Sequence, residues 1–244
     1  MINTVFGLHA VMSVLNNNPR SITRLVLSDS RKDKRLVEIE TRAQEQGVSI
    51  ERVTPKALQK LLGDVRHQGV VAEFKAREVM SEPELLKLVM STDKPLLLIV
   101  DGVTDPHNLG ALLRTADAAG VDAVIVPRSG SAGLTPVVRK VASGAAETMA
   151  FCPVANLART LGELKELGVW IYGTSDTAEG DYTGVDYKGP VAIAMGAEGK
   201  GLRRLTQQAC DGLISIPMAG SVSSLNVSVA AGVCLFEVVR QRRH

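Results

Sequence analysis

The chain of 244 residues sets 28 Lys and Arg against 26 Asp and Glu and is 45% apolar and 22% charged. So ordinary a composition excludes intrinsic disorder, collagen and coiled coil, and a chain this long buries a core without disulfides or a structural metal. Cys152, Cys210 and Cys234 show no CxxC spacing, and His9, His67, His107 and His244 show no metal-ligand spacing, so neither a disulfide scaffold nor a metal site is expected. No run reaches the roughly 18 consecutive apolar residues of a membrane span, and the N-terminus lacks a basic segment followed by an apolar one, so a cytoplasmic protein away from membranes is expected.

Taken in chain order, helix and strand patterns alternate. A helix is predicted over Gly7–Asn17, with His9, Val11, Val14 and Leu15 as candidates for its inner face and Asn18-Pro19 as its stop. A strand at Ile22–Leu27, a helix over Asp29–Gln46, a strand at Val48–Val53, a helix from Pro55 to Leu62 and a strand at Gly69–Phe74 follow. This alternation predicts a small α/β domain over residues 1–75. Residues 76–82 read as a linker, and residues 83–244 as a second α/β domain. Its Leu96–Val100 strand is apolar on both faces, as a buried parallel strand is. The helix Asn108–Ala119 closes at Gly120, and strands are expected at Ala123–Val126, Met149–Val154, Trp170–Thr174 and Val191–Met195. The last helix runs from about Ser224 to Arg240.

Charge is uneven: residues 1–75 hold 12 basic and 8 acidic side chains, residues 76–244 hold 16 and 18. A basic first third suits a polyanion such as nucleic acid, or is simply a solvated face. Only four Phe, three Tyr and one Trp are present, so any nucleic acid is held through phosphates and shape rather than stacked bases.

Three segments of the second domain carry chemistry. In NLGALLRTADAAG, Asn108 stands where it can cap the helix, and Arg114 lies about 120° around the helix among small apolar residues. The planar fork of Arg114 suits a phosphate or carboxylate, unless it is merely solvated. In AIAMGAEGKGL, a buried strand runs into Gly196, Gly199 and Gly201, glycines that let backbone approach a ligand. The order matches neither a Walker loop, because Gly201 follows Lys200, nor a dinucleotide fingerprint. In ISIPMAGSVSSLNVSVAAGV, Ser223 or Ser224 can cap a small-residue helix, and Asn226 can donate and accept hydrogen bonds.

In this order the three segments resemble the three motifs of the SpoU (TrmH) family of the SPOUT superfamily of RNA methyltransferases. N-x-G-x-x-x-R-T-A, G-x-E-G-x-G-L and I-P-M-x-G-x-x-x-S-L-N-V-S-V-A are all present. GLHAV near the start and RHQGVV at 66–71 extend the resemblance over essentially the whole chain, which looks closest to the bacterial enzymes that methylate a guanosine 2′-OH of 23S rRNA. The resemblance implies an L30e-like RNA-binding first domain and an α/β second domain threaded as a deep trefoil knot. It implies S-adenosyl-L-methionine held near Gly196, Ile216, Met218 and Leu225. It also implies a homodimer in which Arg114 reaches the partner's cofactor. Arg114 is then the catalytic cation. Asn108, Glu198, Ser224 and Asn226 orient it and the target; Glu198 either pairs with Arg114 or stabilises its own loop. His67, Gln68, Arg24 and Arg31 are the candidate contacts to 23S rRNA, with Arg20, Lys32, Lys34 and Arg35 as looser ones; for His67 and Gln68 a hydrogen-bonded turn is the alternative. A tRNA ribose 2′-O-methyltransferase and a non-catalytic ribosome-assembly factor are the competing readings.

Overall fold

The computed structural model describes residues 2–30, 34–63, 65, 67–75 and 79–243. Contacts divide the chain into two units, Met1–Glu78 with Ser143–Thr148, and Val79–Ala142 with Met149–His244.

The first unit comprises β1 (Ile2–Phe6), α1 (Leu8–Asn17), a 3-10 turn at Pro19–Ser21, β2 (Ile22–Ser28), α2 (Lys34–Glu45), β3 (Ile50–Val53), α3 (Pro55–Leu62) and β4 (Val70–Lys75). Its sheet has the order β1-β4-β2-β3, with β4 antiparallel to both neighbours and β2 parallel to β3. Successive side chains of a strand face opposite sides. Leu25, Leu27, Val70 and Ala72 therefore pack with Leu8, Val11 and Leu15 of α1 and Leu36, Ile39 and Ala43 of α2. Val26 and Val71 pack on the opposite face with Leu58 of α3. Thr54 caps α3 by accepting the Ala57 N–H, and Pro55 opens it. One expectation needs correction, and one strand was not expected. His9 is exposed and belongs to no inner face. The edge strand β1, for which no strand was expected, pairs with β4 from Ile2↔Lys75 to Phe6↔Val71.

The second unit opens with α4 (Glu82–Ser91), entered through a reciprocal cap between Ser81 and Glu84. It continues through β5 (Leu96–Asp101), α5 (Pro106–Ala119), β6 (Ala123–Pro127) and α6 (Pro136–Ala142); the short α7 (Ala145–Thr148) clusters with the first unit. Then come β7 (Ala150–Val154), α8 (Leu157–Glu166), β8 (Trp170–Thr174), β9 (Gly180–Asp181), β10 (Val191–Gly196), α9 (Arg204–Ala209), β11 (Gly212–Ser215) and α10 (Val227–Arg243). All seven strands are parallel, in the order β7-β6-β5-β10-β8-β11-β9. Every residue of β5, β6 and β10 is buried, the pattern of strands covered on both faces. Gly120 takes the left-handed conformation that ends α5, as its sequence position predicts. The helix α8, absent from the expectations above, was legible in the spacing of Leu157, Leu161 and Leu164 behind the cap Asn156, which accepts the Arg159 N–H.

β5, α5, β6, α6 and β7 build the sheet outward in one direction. β10 sits on the other side of β5, with β8 and β11 beyond it. In open parallel sheets, ligands bind beyond the carboxyl ends of the strands where strand order reverses.

Candidate active site

A cavity of about 540 Å³ lies at the carboxyl ends of β8, β10 and β11. Its walls come from Thr174–Asp176 after β8, Met195–Leu202 at the end of β10, Ser215–Met218 at the end of β11, Ser223–Leu225, and the first turn of α10. Gly196, Ile216, Met218 and Leu225 all line it, as do Glu198 and Ser224. Thr174, Ser175 and Asp176 were not singled out from sequence. The available signal was positional: they lie at the carboxyl end of a parallel strand, where such sheets bind ligands.

The glycine loop has a different rationale from the one expected. A Cβ on Gly196 would stand 2.0 Å from the Gly201 carbonyl carbon and 2.3 Å from the Leu202 nitrogen. Protein backbone, rather than a ligand, occupies that space. Ala197 and Gly201 exchange backbone hydrogen bonds of 3.1 and 2.8 Å, and Gly199 and Gly201 have φ of +74° and +64°. The loop folds back on its own strand and presents Glu198 and Lys200 at the tip. Gly110 likewise serves packing: its missing Cβ leaves room for Val141 and the Val138 carbonyl of α6.

Two cap assignments are corrected. α5 begins at Pro106 with Asp105 as its cap, accepting the His107 N–H at 2.9 Å, because Asp followed by Pro satisfies both the cap and the first helical position. Asn108 therefore lies inside the first turn with its amide free for other work. α10 begins at Val227, and Asn226 caps it: Oδ1 accepts the Ser228 N–H at 3.0 Å and the Ser228 hydroxyl at 2.6 Å. Ser223 and Ser224 are left in the preceding loop, facing the cavity.

These corrections place Asn226 and Asn108 in one hydrogen-bonded chain. Asn226 Nδ2 donates to Asn108 Oδ1 at 2.9 Å, and Asn108 Nδ2 donates to Glu198 Oε2 at 3.5 Å. Glu198 thus meets Asn108, and no ion pair joins it to Arg114. Arg114 is exposed, forms no hydrogen bond or ion pair with a described residue, and is not among the residues lining the cavity. Thr115 beside it packs against Gly232 of α10.

In the first unit, Gln68 has φ +53° and its Oε1 accepts the Leu8 N–H at the start of α1, so its carbonyl oxygen is committed to the fold. His67 Nδ1 accepts the Gly69 N–H, which leaves Nε2 as the donor. Arg24 is bidentate to Glu51 and also paired with Glu73, so its charge is already matched. Arg31 and Lys32 lie outside the described residues. Arg20 and Lys34 are exposed and make no hydrogen bond or ion pair with a described residue, whereas Arg35 is engaged. Among the described residues no group of His, Cys, Asp and Glu is arranged to hold a metal ion, and no helix is long and apolar enough to cross a membrane.

A parallel α/β sheet with a cavity at the carboxyl ends of its strands, edged by an amide-and-carboxylate chain, is the arrangement of a small-molecule-binding enzyme. Residues 95–236 match the SpoU rRNA methylase family, and residues 4–80 match the RNA 2′-O ribose methyltransferase substrate-binding family. The chain belongs to the SpoU rRNA methylase family. It is 56% identical over 239 residues to the 23S rRNA (guanosine-2′-O-)-methyltransferase RlmB of Shewanella oneidensis, covering 98% of this chain and 97% of that one. Its identity to the protein of the same name from Ralstonia nicotianae is 53%, over 98% and 95% of the two chains. Among solved structures, it superposes on the SpoU methyltransferase AviRb from Streptomyces viridochromogenes, in complex with the cofactor AdoMet, with a TM-score of 0.76 at 25% identity, over 99% of this chain and 91% of that one.

Proposed function

We propose that this protein transfers the methyl group of S-adenosyl-L-methionine to the ribose 2′-OH of a guanosine in 23S rRNA. The observation that carries the reading is the convergence of all three motifs on one region: the second and third line the cavity, and Asn108 of the first is tied to both through Glu198 and Asn226. The likeness to RlmB proteins over nearly the whole chain supports the substrate.

The cavity fits the cofactor. Its volume falls in the usual range of small-molecule sites, and its lining mixes apolar Leu202, Ile216, Met218 and Leu225 with the polar Thr174, Ser175 and Asp176. Gly196, Ile216, Met218 and Leu225 are assigned to hold it, with backbone groups supplying much of the hydrogen bonding. When bound, the cofactor supplies an activated methyl group. The chain's own residues then orient the ribose. The Glu198 carboxylate and Ser224 hydroxyl at the cavity wall position the acceptor, and the Asn226–Asn108 chain holds Glu198. Arg114 binds the phosphate next to the target ribose and stabilises charge developing on the 2′-oxygen. Guanidinium keeps its proton in proteins, so Arg114 acts as a cation rather than a base.

Arg114 has no hydrogen-bond or ion-pair partner among the described residues and lies outside the cavity lining, which supports its serving the site of a second subunit. α10 exposes Val229 and Phe236, seven residues apart and so on one side of the helix, at 52% and 48%. These are the residues assigned to a homodimer. The first domain, L30e-like in this reading, supplies RNA affinity through exposed bases such as Arg20 and Lys34, and through His67. The second domain carries the trefoil knot, and the reaction occurs in the cytoplasm where ribosomes are made.

The test is incubation of the purified protein with labelled cofactor and transcribed 23S rRNA or tRNA, followed by mapping of 2′-O-methyl positions. Label on a single guanosine of 23S rRNA is expected. Label on tRNA alone favours the tRNA reading, and no label on either, or on assembling particles, overturns the assignment as an enzyme.

A further inference from the structure

Behind the cavity wall lies a charged pair that none of the motifs contains. Asp101 ends β5 directly beside Gly196 of β10. Its side chain is fully shielded, while that of Arg203 is 52% exposed. Asp101 Oδ2 accepts the Arg203 backbone N–H at 3.0 Å. Oδ1 stands 3.5 Å from Arg203 Nε, within ion-pair reach but without a hydrogen bond. Burying a carboxylate is costly unless hydrogen bonds and a nearby cation compensate it.

Arg203 extends beyond this contact. Its Nη2 donates to the Ser129 carbonyl at 3.4 Å, and its guanidinium lies over Gly130, where a Cβ would come within 2.5 Å of Nη2. The same side chain runs past Gly102. One arginine therefore ties together the segments that leave β5, β6 and β10. The segment after β5 leads to Asn108, and the segment after β10 carries Glu198. Their side chains meet at 3.5 Å, a separation that a small shift of either loop would open. Neither Asp101 nor Arg203 lines the cavity.

We propose that Asp101 and Arg203 are positioning residues for methyl transfer, a latch anchored on the buried Asp101 that sets the distance between Asn108 and Glu198 without touching cofactor or RNA. The proposal rests on the functional reading above.

The experiment compares wild type with Asp101→Asn, Arg203→Ala and Arg203→Lys. It measures cofactor affinity by calorimetry, kcat and KM for 23S rRNA, and hydrogen exchange of the Ala197 and Gly201 amides. Asp101→Asn keeps an acceptor for the Arg203 N–H, and Arg203 is exposed enough for its variants to fold. Arg203→Ala and Asp101→Asn are expected to lower kcat about tenfold or more, with cofactor affinity and KM within about threefold of wild type. Both are expected to speed exchange at Ala197 and Gly201, and Arg203→Lys to recover part of the kcat. The proposal is overturned if kcat stays within about twofold of wild type in both variants, if cofactor affinity falls as far as kcat, or if KM rises alone, which would make Arg203 an RNA contact. If the wild-type protein methylates no RNA, the functional reading fails separately, and amide exchange at 197–201 still decides whether the latch holds the loop.

Discussion

Asn226 Nδ2 lies 2.9 Å from Asn108 Oδ1, across 118 positions of sequence. This contact fixes the direction of the whole polar chain. Asn226 Oδ1 is bound to accept the Ser228 N–H at the head of α10, so its Nδ2 must point outward. Asn108 must then turn its oxygen to Asn226 and its Nδ2 to Glu198. A helix cap thereby orients a carboxylate at the cavity wall.

Asn226→Ala removes both the cap and the orientation. Turnover is expected to fall about 10–100-fold, the equivalent of about 1–3 kcal/mol for an unpaired polar group in the network. Asn108→Ala is expected to cost a similar factor, and the double variant little more than either single one, because both break the same chain. Steady-state kinetics on the four proteins checks this; strictly additive losses would separate the two residues.

Arg114→Ala is expected to leave the fold and cofactor affinity unchanged, since Arg114 has no partner among the described residues to lose. Turnover is expected to drop about 10²–10³-fold, as for loss of a group that stabilises developing negative charge. Arg114→Lys keeps the charge but not the fork, and recovers only part. Calorimetry beside a methyl-transfer assay reads both halves of the expectation.

Gly196→Ala puts a methyl group 2.0 Å from the backbone of Gly201. Backbone cannot rotate away as a side chain can, so the loop must move. A loss of about 1–3 kcal/mol is expected, with weakened cofactor binding because the same loop forms the cavity wall. Gly199→Ala meets no atom within 4 Å and is strained only by its positive φ, so it is expected to cost less. Chemical denaturation of the two variants gives the comparison.

Glu237 supplies a pH signature. Hydrogen bonds from Arg240 and then Gln241 hold its carboxyl down at about 2, from an ordinary 4.5. Because the folded-state value is depressed, its stabilising contribution is complete above pH about 4.5 and is lost as the pH falls towards 2. Glu237→Gln is expected to lower Tm by about 2–4 °C at pH 6, the size of a screened contribution near 1 kcal/mol, and by almost nothing near pH 2. A gap between the two melting curves that stays constant from pH 6 to pH 2 would exclude this origin.

The sequence by itself determined the elements whose reasons are local. Buried parallel strands announce themselves as apolar runs, so Leu96–Asp101 and Val191–Gly196 were legible to within a residue, as was the end of α5 at Gly120. The motifs were legible too, because each is a short contiguous string, and the four residues assigned to the cofactor do line one cavity. Tertiary structure alone decided what each motif residue touches. Glycine 196 reads the same whether a ligand or the chain's own backbone fills the space of its missing Cβ. Asn108 resembles a cap until Asp105 and Pro106 take that place, and Glu198 can face Arg114 or Asn108 with equal propriety in a string of letters. Asp101 and Arg203 carry no pattern at all, since a charge pair 102 positions apart exists only once β5 and β10 lie side by side. Local propensities act over a few residues, whereas hydrogen-bond partners are allotted by which strands become neighbours, and that is a property of the folded sheet.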